Sequence, residues 1–320
     1  MRQVVLIADV GGTNTRIALR DAVTGEQVKL AYYSTADFQR AEDLVESFIA
    51  QDRVGIHRVV FAVAGVIHQG AVRLTNCNFS IDESSFDRFV TDRTNVKLLN
   101  DFEANGYAID ILKDEDVHWL RKGEIKSENQ ILVGPGTGLG VALRVFDEQQ
   151  NLVIVPGEGG HLPAAARTKD EFELIQTCQQ LTGISSSVPY EFLVSGQGLE
   201  NLYESLSILS GKHQKKTAAE VTSSLHTDAV AWESLRYFQR FLAAACQSFT
   251  LATKATGGVW LCGGILPRLL DDFDTSAFLA EFDLHHDHHE MLSQTPVGLV
   301  LNQDLGTLGA FAYAKRTIVG

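Results

Sequence analysis

Short apolar runs and segments of helical periodicity alternate through the first hundred residues. Gln3–Ala8, rich in Val and Ile, predicts a buried strand. Arg16–Leu19 and Gln27–Tyr33 predict two more, with a turn at Thr24-Gly25 between them. From Asp37 to Gln51 the apolar positions are Phe38, Ala41, Leu44, Val45, Phe48 and Ile49, which is helical spacing. Arg58–Ala64 predicts a strand ending at Gly65. Asp82–Val90 predicts a helix with Asp82 as its N-cap, and Val96–Leu99 a short strand running into Asn100-Asp101. Three strands followed by strand–helix alternation imply an α/β domain with a mixed sheet.

The second part of the chain repeats this order. Gln130–Val133, Gly140–Phe146 and Leu152–Val155 predict three strands, and long helical stretches follow. The longest, Asp228–Thr256, has a continuous apolar face. Val259–Cys262 predicts a strand ending at Gly263-Gly264, Val297–Leu301 another, and Leu305–Lys315 a last helix. The polar stretch Ser210–Lys216 predicts a surface loop. Within this order lies an internal repeat. Gly12-Thr13-Asn14-Thr15-Arg16-Ile17-Ala18-Leu19-Arg20 aligns with Gly136-Thr137-Gly138-Leu139-Gly140-Val141-Ala142-Leu143-Arg144, with five of the nine pairs identical. Both segments follow a β-branched strand, so the repeat reads as a duplicated strand, Gly/Thr turn and strand.

Composition narrows the class. At 320 residues the chain has room for about two domains. With 45% hydrophobic and 21% charged residues it builds an ordinary buried core. Lys and Arg number 27 against 40 Asp and Glu, a net charge of −13, which argues against nucleic acid and anionic membranes as partners. Cys77, Cys178, Cys246 and Cys262 are far apart and form no CxxC pair. They imply neither a disulfide framework nor a cysteine zinc site, and they favour a reducing compartment. Asp9 interrupts the first apolar run, so no signal peptide is expected, and no apolar stretch approaches the ~18 residues of a spanning helix.

Candidate chemistry gathers at the strand ends. A Gly/Thr turn lets backbone N–H groups converge on a phosphate, with a threonine hydroxyl as one more donor. Two such turns, one per domain, suit a polyphosphate; the alternative is a pair of plain tight hairpins. Neither is a Walker A loop, nor a Gly-x-Gly-x-x-Gly opening a helix. Asp9, beside the first turn, suits either a turn cap or a hydrated Mg²⁺. Asn100-Asp101 suits either a helix N-cap or a carboxylate that takes a proton from a hydroxyl nucleophile. Pro156-Gly157-Glu158-Gly159-Gly160-His161 sets an acid and a histidine among glycines, a natural partner for sugar hydroxyls. Zinc at His161 is the competing reading, with Cys178 the next, solitary cysteine. Glu191 is either a third hydroxyl acceptor or a solvated acid at a helix end.

Six ordered segments carry a resemblance that covers essentially the whole chain. Asp9-Val10-Gly11-Gly12-Thr13-Asn14, Leu99-Asn100-Asp101-Phe102, Gly136-Thr137-Gly138-Leu139-Gly140, Pro156–His161, Leu193-Val194-Ser195-Gly196 and Cys262-Gly263-Gly264-Ile265 resemble the bacterial glucokinases of the actin-like, ribonuclease-H-like ATPase superfamily. The resemblance implies two actin-like α/β domains with mixed sheets and an active site in the interdomain cleft. The small domain would be 1–110 plus 301–320, and the large domain 111–300. It implies ATP and Mg²⁺ as cofactors and transfer of the γ-phosphoryl group to the 6-hydroxyl of glucose, the first step of glycolysis. Asp101 resembles the catalytic base. Asn100, Glu158, His161 and Glu191, with Asp101, resemble the glucose-binding residues. Asp9, Gly11, Gly12, Thr13, Asn14, Gly136, Thr137 and Gly138 resemble the phosphate side of the ATP site, with Asp9 toward Mg²⁺ through water. Gly263 and Gly264 resemble the adenosine-side turn.

Further expectations follow from the resemblance: a cytoplasmic protein, a homodimer, and no membrane or nucleic-acid partner. ROK sugar kinases carry a cysteine-rich zinc motif soon after the Gly-Gly-His, whereas Leu162–Thr177 has no cysteine, so no structural zinc is expected. The loop Thr75–Phe79, with Asn76, is shorter than in relatives. His285, His286, His288 and His289 read as a solvated cluster, with adventitious metal binding as the alternative. Other activities remain in view. A kinase for mannose, fructose or N-acetylglucosamine would use the same scaffold. A sugar-responsive repressor would need a DNA-binding module ahead of the strand at Gln3, and an actin-like filament protein would have no use for Glu158 and His161.

Overall fold

The computed structural model describes residues 3–50, 55–74, 77–90, 95–124 and 127–316. The chain divides into two units, Met1–Lys113 with Asp304–Gly320, and Asp114–Gln303. Asn76 lies outside the described residues.

The first unit is a five-stranded sheet in the order β3-β2-β1-β4-β7. Its strands are β1 (Gln3–Val10), β2 (Asn14–Asp21), β3 (Gln27–Ser34), β4 (Gly55–Val63) and β7 (Val96–Asn100). A small hairpin, β5 (Ala71–Arg73) with β6 (Ser80–Asp82), stands apart. β1, β2 and β3 pair antiparallel, and β1, β4 and β7 pair parallel. The unbroken apolar run in β1 has a plain cause. Val4, Leu6, Ala8 and Val10 enter one core with α1 (Ala41–Ile49), while Val5 and Ile7 enter a second core on the other face. That second core includes Ala104 of α2 (Asp101–Ala108) and Ala310, Phe311 and Ala314 of α9 (Leu305–Arg316).

The second unit repeats the plan in the order β11-β10-β9-β12-β13-β8. β9 (Gln130–Pro135), β10 (Leu139–Phe146) and β11 (Leu152–Gly157) form the antiparallel half, and β12 (Gly258–Leu261) and β13 (Val297–Val300) continue parallel to β9. β8 (Val117–Arg121) adds an antiparallel edge beside β13. One face, with Ile131, Val133, Val259, Leu261, Val297 and Leu299, shares a core with the surrounding helices. These include α3 (Lys169–Thr182), α4 (Gly196–Leu209), α6 (Ala229–Thr253) and α7 (Thr275–Asp283); α5 (Ala218–Ser223) and α8 (His289–Gln294) are shorter. On the other face, Gln130 Oε1 accepts from both buried Arg144 Nη1 (2.7 Å) and Trp260 Nε1 (3.0 Å). Hydrogen bonding makes such burial of polar groups tolerable. The aligned repeat segments form the turn and second strand of the β1–β2 and β9–β10 hairpins. Among the described residues no helix is long and apolar enough to cross a membrane.

The helix expected over Asp82–Val90 is a correction. Ser80–Asp82 is strand, and only a 3-10 turn, Glu83–Phe86, follows. Asp82 does cap it, through Ser84 N–H at 2.8 Å. Glu83 Oε1 then accepts from Leu98 N–H at 2.8 Å, tying the segment to the β7 edge, and Phe86 packs at a tilt against Phe61 and Phe89. Three-residue spacing of Phe86 and Phe89 suits one tight turn as well as a helix. The helix expected from Asp37 begins only at Ala41, because a 3-10 turn at Thr35–Asp37 and a bridge from Arg40 to Ser80 occupy the intervening chain.

α9 crosses α2 at Gly309, where a β-carbon would collide with the Ala104 carbonyl. Close approach here holds the helix that begins with Asp101. Overpacking of this kind costs about 1–3 kcal/mol. Gly309→Ala is therefore expected to lower the unfolding free energy by that amount in urea titrations, whereas unchanged stability would mean that α9 shifts freely.

Candidate active site

In a parallel sheet the carboxyl ends of neighbouring strands reach one edge, and that is where open α/β sheets hold ligands. In the first unit this edge carries Asp9 near the end of β1, the turn Gly11–Asn14, and Asn100-Asp101 at the end of β7. Gly11 N–H donates to Asn14 O at 3.0 Å to close the turn, leaving Thr13 and Asn14 exposed. Asn100 is the N-cap of α2. Its Oδ1 accepts from Phe102 N–H (3.0 Å) and Glu103 N–H (3.3 Å), and Glu103 Oε2 accepts from Asn100 N–H (3.3 Å). Capping thus falls to Asn100 and uses its Oδ1, while Asp101 is the first helical residue. Asp101 Oδ1 in turn accepts from Phe102 N–H at 3.0 Å, and the cap leaves the Asn100 amide nitrogen to other acceptors.

Asp9 is half-buried at this edge. Burial, and next the negative charge of Asp101, push its carboxyl up to about 6, with Arg16 pulling the other way. Arg16 itself is ion-paired with Asp304. Two nearby carboxylates, one of them reluctant to ionise, are a donor set that a hydrated divalent cation fits.

In the second unit, the turn after β9 closes through Gly136 N–H to Gly138 O at 2.8 Å, one residue tighter than its counterpart. Thr137 is exposed at its tip. Gly263, with φ +90°, packs on the Gly134–Pro135 backbone, where a β-carbon would stand 2.4 Å from Pro135 O. The structure therefore brings Gly263-Gly264 to the Gly136–Gly138 turn. Glu191 also belongs here, since its Oε2 accepts from Leu139 N–H at 2.9 Å. Glu158 and His161 flank a 3-10 turn, Gly159–His161, whose Gly160 lies against Leu139 O. Their Oε2 and Nε2 atoms are 3.6 Å apart and mostly exposed, at 81% and 59%. Tyr190 N–H donates to Leu162 O at 3.0 Å and laces this turn to the Tyr190–Phe192 turn that carries Glu191. Glu191 is thus a bound acid within the cluster rather than a solvated helix end.

Thr35 escaped the sequence reading. It is buried and braces the first turn: its N–H donates to Thr13 O (2.9 Å) and its hydroxyl to Gly11 O (2.8 Å). No spacing rule points to it, because the contact joins the end of β3 to the β1–β2 turn. The histidine cluster is exposed, and His285 Nδ1 accepts from the Asp287 and His288 N–H groups at 3.3 and 3.2 Å. Among the described residues no three His, Cys, Asp or Glu gather as a metal site.

A sheet repeated in each unit, with hairpin turns at its carboxyl edge, is the actin-like fold found among sugar kinases. The ROK-family glucokinase from Streptomyces griseus, whose crystal structure is in complex with glucose and AMPPNP, shares this fold at TM-score 0.64 and 17% identity over 98% of this chain and 99% of that one. Within the class, this chain belongs to the glucokinase family. The family's profile, described as Glucokinase, matches residues 6–317. A glucokinase of Sinorhizobium medicae is 32% identical over 316 residues, 97% of this chain and 92% of that protein. The crystal structure of a glucokinase from an Antarctic psychrotroph superposes at TM-score 0.87, with 29% identity over 98% of this chain and 99% of that one.

The Asp9 carboxyl sets a pH dependence. Its folded-state value lies above the usual 3.8, so the folded protein holds this proton more tightly than the unfolded chain. The stabilisation by the bound proton is full below about pH 4 and is lost as pH rises through about 6. Without divalent cations, Asp9→Asn is expected to match wild type in unfolding free energy at pH 4 and to exceed it by about 1–3 kcal/mol at pH 8. A variant less stable than wild type at pH 8 would show that the ionised carboxylate is welcome there.

Proposed function

We propose that this chain transfers the γ-phosphoryl group of ATP to the 6-hydroxyl of glucose, giving glucose 6-phosphate and ADP. The observation that carries the reading is the half-buried Asp101 at the first position of α2, on the carboxyl edge it shares with Asp9 and the Gly11–Asn14 turn. Asp101 accepts the hydroxyl proton as the sugar oxygen bonds to the γ-phosphorus, and the bond from that phosphorus to the bridging oxygen breaks with its electrons leaving on ADP. The Asn100 amide nitrogen, Glu158, His161 and Glu191 pair the remaining hydroxyls. The turns Gly11–Asn14 and Gly136–Gly138 hold the phosphates, and Gly263-Gly264 the adenosine side. Asp9 is the residue that would hold a hydrated Mg²⁺, which would supply neutralising charge to the phosphates.

The base stands on the first unit, and Glu158, His161 and Glu191 stand on the second. We assign 1–110 with 301–320 as the small domain and 111–300 as the large one. The family resemblance supports a cytoplasmic homodimer acting at the entry to glycolysis.

A coupled ATP-consumption assay over glucose, mannose, fructose and N-acetylglucosamine tests the reading. A site that pairs each hydroxyl rejects analogues that leave buried groups unpaired. Glucose is expected to exceed the others in kcat/KM; parity with any of them would leave a sugar kinase of another preference. In the same assay Asp101→Asn should lower kcat by about 10²–10⁴-fold and change glucose affinity only a few-fold. Asn caps a helix as well as Asp does, so near-wild-type turnover would reduce Asp101 to a helix-start residue.

The stretch after His161 without cysteine supports a protein free of structural zinc. Metal analysis of chelator-washed protein is expected to give well under about one zinc per chain, because a structural site holds its metal tightly. Stoichiometric zinc with unfolding on chelation would contradict this.

A further inference from the structure

Both Gly/Thr turns are braced from outside their own hairpins, and the two braces differ in chemistry. At the first turn the brace is uncharged Thr35. At the second it is the segment Glu191–Gly196. Gly196 N–H donates to Gly136 O at 2.9 Å, and Glu191 Oε2 accepts from Leu139 N–H at 2.9 Å. Ser195 holds the segment in shape, its hydroxyl donating to Glu191 O at 2.7 Å while accepting from Gly198 N–H at 2.9 Å. Gly138 leaves room for this contact, since a β-carbon there would run into Glu191 Oε2.

A carboxylate has two oxygens and about four acceptor positions. Glu191 can therefore hold Leu139 with Oε2 and a sugar hydroxyl with Oε1 at the same time. We propose that Glu191 is a positioning group that couples the two substrates, transmitting occupancy of the sugar site to the Gly136–Gly138 turn. This rests on the functional reading above, in which Glu191 takes a sugar hydroxyl and the turn takes phosphate. A sugar on Oε1 fixes the plane of the carboxylate. The fixed carboxylate then holds the Leu139 N–H, and the turn beside it, in one geometry. Nucleotide binding no longer has to order the turn, so its affinity rises, and by linkage nucleotide raises sugar affinity by the same factor. Thr35 is fully buried and its hydroxyl oxygen is already paired with Thr15 Oγ1 at 2.9 Å, so it reaches no sugar and the first turn lacks this coupling.

The Gly138→Ala variant separates the two links. Its β-carbon displaces Glu191 Oε2, the far end of a flexible side chain, from Leu139 while the glutamate remains in the chain. Calorimetry with Mg·AMPPNP, with and without saturating glucose, measures the coupling. Glucose is expected to tighten nucleotide binding at least about five-fold in wild type and by a factor near one in Gly138→Ala. Thr35→Val should weaken nucleotide in both conditions and keep the wild-type factor. Hydrogen exchange gives a second readout: glucose alone should slow the amides of residues 136–140 in wild type. No tightening in wild type, full tightening in Gly138→Ala, or unchanged exchange in wild type would overturn the coupling. If Gly138→Ala does not fold, the wild-type exchange result decides. A wild-type protein that neither binds nor phosphorylates glucose would instead overturn the functional reading beneath the proposal.

Discussion

Because β1, β4 and β7 run parallel, their chain ends leave the sheet at the same edge, and every candidate group of the first unit depends on that geometry. Asp9 and Asp101 are 92 positions apart in the chain. Their charges nevertheless interact strongly enough to move the Asp9 carboxyl. The parallel pairing of β9 with β12 does the same in the second unit, bringing Gly263 against Pro135 beside the Gly136 turn. Antiparallel pairing at either place would send one of the two ends to the opposite edge.

Duplication supplied the frame, and divergence within it supplied the chemistry. In both units three antiparallel strands are extended by two parallel ones, with β8 as an added antiparallel edge in the second, and both put a Gly/Thr turn between the strands of the repeat. The turns then part company. One is closed from Gly11 to Asn14 and braced by a buried threonine; the other is tighter and braced by an acid. A neutral brace holds a loop in one shape whatever else is bound. A carboxylate with acceptor capacity to spare can answer to a second ligand, and this difference gives the two turns different duties on similar scaffolds.

Packing and electrostatics meet at α2. Its N-terminus presents Asp101 beside Asp9, while Gly309 of α9 lies against its Ala104 backbone. The capping box of Asn100 and Glu103 satisfies the first backbone donors of the helix. Asp101 Oδ1 also accepts from Phe102 N–H at 3.0 Å, which fixes the carboxylate at the start of the helix.

Much of this was legible in the chain alone. Unbroken Val/Ile runs signalled strands covered on both faces, because a strand with one wet face must alternate. The nine-residue repeat disclosed the duplicated hairpin, and glycines beside polar residues at strand ends marked the turns and the Glu158–His161 pair. These signals are local: they reflect what a few adjacent residues can do to the backbone. The sequence did not disclose the single 3-10 turn in place of a helix after Asp82, the brace from Thr35 or the bond from Glu191 to Leu139. Each of these is decided by a partner that is remote in sequence: Leu98 for Glu83, Gly11 for Thr35, Leu139 for Glu191. Such pairs obey no spacing rule, because sheet order and helix packing, rather than chain distance, decide which donor meets which acceptor.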